Sequence, residues 1–312
     1  MKRVAFMFPG QGSQAVGMGK EFHDEYPMVK ELFQKANDVL GKDIRGIMFD
    51  GPAEALTETE NAQPSLLLTS IAIHKLLQQE NVEPVMTVGH SLGEYSALVA
   101  AGALTVEDAL PLVAVRGKLM EDAFPKGQGT MAAVLGLNEK EISEALQEIT
   151  EEVVDLANLN CPGQIVISGS KEGIEKAAAL LKDKGAKRVL PLNVSGPFHS
   201  RLMKPANEEF AAYLDKTPIQ DATIPVYANV SAEAVTSSVE IKDLLLKQLY
   251  SPVRFEESIN QMINEGIDAF VEVGNGKVLS GLLRKIDKKV PAFAVQDIKS
   301  MQEFISWYRE DS

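Results

Sequence analysis

The sequence predicts an α/β protein in two parts: a large α/β domain from residues 1–128 and 195–312, and a small ferredoxin-like βαββαβ subdomain inserted at 129–194. Two observations carry this. Strand-like apolar runs alternate with helical patterns along most of the chain, the signature of an α/β fold. Near the middle the order changes to strand, helix, strand, strand, helix, strand, which is a complete module in itself.

The first strand is expected at 3–8, where VAFMF runs into the glycine-rich PGQGSQ, a turn that is expected to open a helix. Gly10, Gly12 and Ala15 match the G-x-G-x-x-G/A spacing of a dinucleotide-binding loop. That function needs a second strand after the helix and an acidic residue about 20 positions on. Residues 21–40, EFHDEYPMVKELFQKANDVL, read instead as one helical stretch after another, which makes the cofactor reading a minor one. Helices are expected near 28–40, 61–80, 92–101, 105–123, 199–215, 238–250, 255–265 and 277–287. The remaining large-domain strands are expected at 85–88, 223–229, 268–273 and 290–295. After the loop PKGQG, the inserted module reads as MAAVLG, NEKEISEALQEI, VVDLANLN, QIVISG, KEGIEKAAALLKDKG and KRVLPLN. A module set between α/β segments leaves a cleft at the junction, where ligands usually bind.

Composition narrows the function. The 312 residues are 45% hydrophobic and 24% charged, as in an ordinary globular protein with a sizeable core. A formal charge of −13, from 31 basic and 44 acidic residues, argues against nucleic acid as a partner. Any acidic partner must dock on a local basic patch. Cys161 is the single cysteine, so no intrachain disulfide forms, which fits a reducing compartment. The N-terminal apolar run stops at Pro9-Gly10, too early for a signal peptide, and SALVAAGALTV (96–106) is too short to span a bilayer. A cytoplasmic protein without a membrane anchor is expected.

The strongest chemical motif is VGHSLGEYSALVAAG, residues 88–102. A β-rich run enters Gly89-His90-Ser91-Leu92-Gly93 and an apolar helix leaves it, the context of a nucleophile elbow. Ser91 would stand at a helix N-terminus, where free amides and the helix dipole favour negative charge, and the Leu92 amide is a natural oxyanion donor. Of the four histidines, His23 and His74 lie in helical stretches and read as structural. His90 adjoins the serine on a tight turn, where neighbouring side chains diverge. By elimination His199, in SGPFHSRLMKPA, is the candidate base. No aspartate stands out as a third triad member, because Asp155 and Asp183 both belong to the small module. Arg116 falls on the apolar stripe Ala109, Leu112, Val113, Met120, Ala123 of its helix, so its guanidinium must find an anion: an ion pair with another element, or a substrate carboxylate. Cys161 reads as an inert thiol, GNGKVLSG (274–281) lacks the first glycine of a P-loop, and Pro111 marks a kink or break in the Arg116 helix.

Taken in order, PGQGSQ, GHSLGEYSAL, AVRGKLM, ANLNCPGQIVISG, VSGPFHS and QLYSPVRFEES resemble the malonyl-CoA:acyl-carrier-protein transacylases of bacterial fatty-acid synthesis, over essentially the whole chain. The resemblance implies an α/β-hydrolase-like large domain with a ferredoxin-like insert. It implies ping-pong transfer of a malonyl group from malonyl-CoA, through an ester on Ser91, to the phosphopantetheine thiol of acyl carrier protein. In that scheme His199 is base and then acid, Arg116 holds the malonyl carboxylate, and the amides of Gln11 and Leu92 form the oxyanion hole. Gln248 orients the histidine through its backbone carbonyl in place of the missing Asp, and Asn160 is a cleft residue that helps order the site. Phe198 is the residue type of malonyl-selective relatives, and Asn275 stands where relatives often have proline. No cofactor or metal is implied, and a monomer is expected. Lys187, Arg188, Arg201, Lys204 and Arg284, by nearness in sequence to the site, are candidates for a carrier-docking rim. A malonyl transferase loading a polyketide synthase shares the motifs; a serine thioesterase or esterase, and a non-catalytic CoA-binding protein, are the rival readings.

Overall fold

A computed structural model describes residues 2–310. Its centre is β1 (Val4–Phe8), whose five residues are all buried, because both of its faces are covered. Alternation splits them: Val4, Phe6 and Phe8 enter the larger hydrophobic core, Ala5 and Met7 the smaller one on the opposite face. β2 (Met86–Gly89), β7 (Val226–Tyr227), β9 (Ala269–Val273) and β10 (Ala292–Val295) join β1 in a parallel sheet, and β8 (Ala234–Val235) adds an antiparallel edge, in the order β10-β9-β1-β2-β7-β8. The chain order thus reverses beside β1 and β2, and ligands of such sheets bind beyond the carboxyl ends of strands at that switch point.

The second sheet is antiparallel, in the order β4-β5-β3-β6, with β3 at Gly129–Leu135, β4 at Val154–Cys161, β5 at Gln164–Ser170 and β6 at Arg188–Pro191. Helices Glu139–Leu146 and Lys171–Asp183 cover one face with their own core, built on Ile142, Leu146, Ile174 and Leu181. From the other face Met131, Ala133, Ala157 and Val166 pack into the large core. The edge of β4 also bonds to the large domain, Leu159 N–H to Val253 O at 2.8 Å and Val253 N–H to Ala157 O at 2.8 Å. These contacts hold the small sheet over the switch point.

Several elements differ from the sequence reading. The glycine-rich loop after β1 does not open a helix; it continues to Gly19, and the helix that follows, Lys20–Glu25, has six residues. The expected strand at 223–229 shrinks to two residues, because Ala228 and Asn229 turn away towards the site. Helices Ile44–Asp50, Ala53–Thr57 and Ile298–Arg309 were not anticipated; the first two are too short for a clear 3.6-residue period. Pro111 neither ends nor interrupts Val106–Asp122, a helix started by the Thr105 side chain accepting from Asp108 N–H.

Candidate active site

The site begins where β2 ends. A Cβ on Gly89 would lie 1.8 Å from the Gly93 carbonyl carbon, and one on Gly93 would lie 2.0 Å from Phe8 O, so both flanks of the turn are restricted to glycine. Between them Ser91 is held at φ 51°, a left-handed conformation uncommon outside glycine, which lifts its side chain off the N-terminus of helix Gly93–Ala100. Non-glycine strain of this kind persists only where surrounding structure fixes it. His199 has the same feature, at φ 58°.

The structure brings these two together. Ser91 Oγ lies 2.8 Å from His199 Nε2, and His199 Nδ1 lies 2.9 Å from Gln248 O. A carbonyl only accepts, so the ring proton is on Nδ1 and Nε2 is left to accept from the serine hydroxyl. Among the described residues no carboxylate takes the third position. Asp155 is engaged with Arg201 at 2.8 Å, and the Gln248 carbonyl occupies the place an aspartate would fill. Burial, then the nearby Arg116 charge, holds the His199 imidazolium down at about 3, so the ring is neutral.

Arg116 is completely buried behind the serine. Its Nη1 donates to Gln63 Oε1 at 2.8 Å, and its Nη2 to Gln248 Oε1 at 2.9 Å and Ser91 Oγ at 3.2 Å; its Nε has no partner. All three acceptors are neutral, and burial lowers the guanidinium from its ordinary range. Of the two readings of Arg116 left open above, an ion pair with another element is not formed among the described residues. A buried guanidinium held only by neutral acceptors keeps its strongest interaction for an incoming anion.

In front of the serine is a cavity of about 150 Å³, lined by Gln11, Met120, Met131, Phe198 and His199 among others, which suits a short acyl chain. The backbone N–H groups of Gln11 and Leu92 donate to no acceptor among the described residues. Asn160 does not line this cavity; Asn158 does, and the Asn160 carboxamide is spent on His90 Nε2 at 2.8 Å. Cys161 is fully buried with its thiol pushed up by desolvation, an unreactive state. At the former P-loop candidate, the amides of Leu279 and Ser280 that a phosphate would need are taken by the Glu272 carboxylate at 3.0 and 2.8 Å.

Three residues of the site escaped the sequence reading: Gln63, Glu94 and Asn229. Glu94 is buried three residues after the serine; its Oε2 accepts from Gln248 Nε2 at 2.7 Å and Asn229 N–H at 3.0 Å, and burial pushes it up to about 7. A lone carboxylate in the apolar helix GEYSALVA was a readable signal. Gln63, next to Pro64 in a long buried helix, and Asn229, past the end of a two-residue strand, gave none.

The acyl transferase domain family matches residues 5–310. A malonyl CoA-acyl carrier protein transacylase of Bacillus subtilis is 51% identical, covering 100% of this chain and 99% of the relative. Among solved structures, an acyl carrier protein S-malonyltransferase of Vibrio cholerae superposes with a TM-score of 0.95 at 46% identity, covering 97% of this chain and 99% of the other. A malonyl-transacylase in complex with a type II PKS acyl-carrier protein has a TM-score of 0.95 at 40% identity, covering 97% and 99%. The large parallel α/β layer with its small inserted sheet is common to these proteins, and this chain belongs to the acyl transferase domain family as one of its malonyl CoA-acyl carrier protein transacylases.

Proposed function

We propose that this chain transfers a malonyl group from malonyl-CoA to the phosphopantetheine thiol of acyl carrier protein, through an ester on Ser91. The observation that carries the reading is the placement of one serine oxygen between a neutral imidazole nitrogen and a buried arginine that forms no ion pair among the described residues. Ser91 Oγ attacks the thioester carbonyl while His199 Nε2 takes its proton. The Gln11 and Leu92 amides receive the oxyanion, the C–S bond breaks, and His199 returns the proton to the coenzyme A sulfur. In the second half the acceptor thiol gives its proton to His199 and attacks the ester, and Ser91 leaves with that proton. Arg116 binds the malonyl carboxylate, Phe198 limits branching next to it, Gln248 holds the histidine, and Asn160 steadies the turn through His90.

The acyl group arrives already activated as a thioester, so the scheme calls for no metal or redox cofactor. No helix among the described residues is long and apolar enough to cross a membrane, and with a single thiol the chain suits a reducing cytoplasm. One chain supplies every residue named, in keeping with action as a monomer. The proposed division into 1–128 with 195–312, and 129–194, places the cavity between the two parts, since Gln11, Met120 and His199 line it from one and Met131 and Asn158 from the other. A carrier of polyketide synthesis is a second possible acceptor, favoured by the relative solved with such a carrier.

Intact-protein mass spectrometry after brief exposure to malonyl-CoA tests the reading. A malonyl-sized adduct on the wild type and none on Ser91→Ala is expected. Release of coenzyme A without an adduct indicates a hydrolase, and the absence of both adduct and release overturns the transferase reading.

A further inference from the structure

The elbow strains Ser91, and something outside the elbow must hold it. The Asn229 carboxamide lies across the turn: its Oδ1 accepts from Ser91 N–H at 2.8 Å, and its Nδ2 donates to Gly89 O at 2.6 Å. These are the backbone groups on either side of His90, so one side chain closes the turn as a strand neighbour would. The same Oδ1 accepts from Gln248 Nε2 at 3.1 Å. Asn229 is itself fixed, its N–H by Glu94 Oε2 at 3.0 Å and its carbonyl by Arg254 N–H at 2.9 Å, and it is fully buried.

We propose that Asn229 is a positioning residue for the nucleophile: its carboxamide, carried on a backbone that Glu94 anchors, clamps Gly89 and Ser91 and so sets the Ser91 hydroxyl against His199 and Arg116. The clamp also fixes which donor faces the cavity. With the Ser91 amide tied to Asn229, the Leu92 amide is the free donor of the turn. Gln248 follows from the same anchor. Its NH₂ points at Glu94, Asn229 and the Ser91 carbonyl, leaving Oε1 for Arg116. The assignment depends on atom type at both ends: Ser91 N–H needs an acceptor and Gly89 O needs a donor. Asparagine supplies both, a protonated aspartic acid also supplies both, and an aspartate supplies only the first.

This inference rests on the reading of Ser91 as the nucleophile, and the test separates the two. The rate of Ser91 acylation by malonyl-CoA is measured by quenched-flow and intact mass for wild type, Asn229→Ala and Asn229→Asp across pH 5.5–8.5, with thermal melting of each. Asn229→Ala leaves a buried donor and acceptor unpaired and is expected to lower the acylation rate constant by about 10- to 100-fold with KM changed less than about threefold. For Asn229→Asp, the titratable groups around the new carboxyl are Glu94, which accepts from the residue's own N–H, Arg116, reached through Gln248, and His199, which is neutral. Burial beside Glu94 favours the protonated acid, which mimics asparagine. The ratio of variant to wild-type rate is therefore expected to rise as pH falls. Wild-type acylation rates in Asn229→Ala, or an Asn229→Asp profile parallel to wild type, overturn the clamp. So does a rate loss that merely follows the loss of folded protein. On the wild type, absence of both an adduct and coenzyme A release overturns the nucleophile reading itself.

Discussion

Replacing Arg116 with alanine separates recognition of the acyl carboxylate from the acyl-transfer chemistry. The guanidinium is completely buried and its hydrogen bonds go to Gln63, Gln248 and Ser91, all neutral. A malonyl carboxylate would therefore meet a desolvated charge, and truncating one partner of such a pair costs about 2–5 kcal/mol, or roughly 30- to 5,000-fold in kcat/KM. An acetyl group has no carboxylate to lose. Its transfer forfeits only the bond from Nη2 to Ser91 Oγ, worth about 1 kcal/mol or roughly fivefold. The malonyl-to-acetyl selectivity should accordingly fall by roughly 6- to 1,000-fold, with the acetyl rate lowered only about fivefold. The assay is kcat/KM for each acyl-CoA, followed by thiol release with a carrier protein or pantetheine acceptor, and supported by adduct mass. An unchanged selectivity, within about twofold, would refute the assignment of Arg116 whatever happened to the absolute rates.

Two further outcomes concern stability. Gly89→Ala drives a Cβ to within 1.8 Å of the Gly93 carbonyl carbon, backbone that has no room to yield; a loss of about 4 kcal/mol or more in urea unfolding, or no soluble protein, is expected. A fold as stable as wild type would mean that the elbow is looser than described. His74, buried against Phe6, is held down at about 4 by burial, from an ordinary value of 6.5. In that window the unfolded chain binds the proton and the folded chain does not, so stability falls as pH drops from about 6.5 to 4, by up to about 1.4 kcal/mol per pH unit from this group. His74→Leu should lessen the slope of that part of the urea-midpoint profile, to which buried His199 also contributes, and a slope equal to wild type would rule His74 out as a source.

How far the sequence reaches depends on whether the signal is local. The elbow was legible because a strand, two obligatory glycines and a helix are consecutive, so GHSLG states its own geometry. Arg116 was legible for a related reason: a charge on the apolar stripe of a helix is an anomaly visible at 3.6-residue spacing. The short strand β8 and the helices Ile44–Asp50 and Ala53–Thr57 were not, because segments of two to seven residues carry too little periodicity to register. Residue identity alone could not say whether Asn160 or Asn158 faces the cavity, since β4 has register shifts on both sides of Asn158 that break simple alternation.

The sequence by itself determined the α/β class, the inserted βαββαβ module, the serine at a strand-to-helix turn and the anomalous arginine, all of which are patterns within one stretch of chain. Only the tertiary structure decided what holds them in register. Gln63, Glu94, Asn229 and Gln248 come from four separate segments and meet around one guanidinium and one hydroxyl. Their contacts are set by how the parallel sheet orders β1, β2 and β7, and a hydrogen bond between residues more than a hundred positions apart leaves no periodic trace in the sequence.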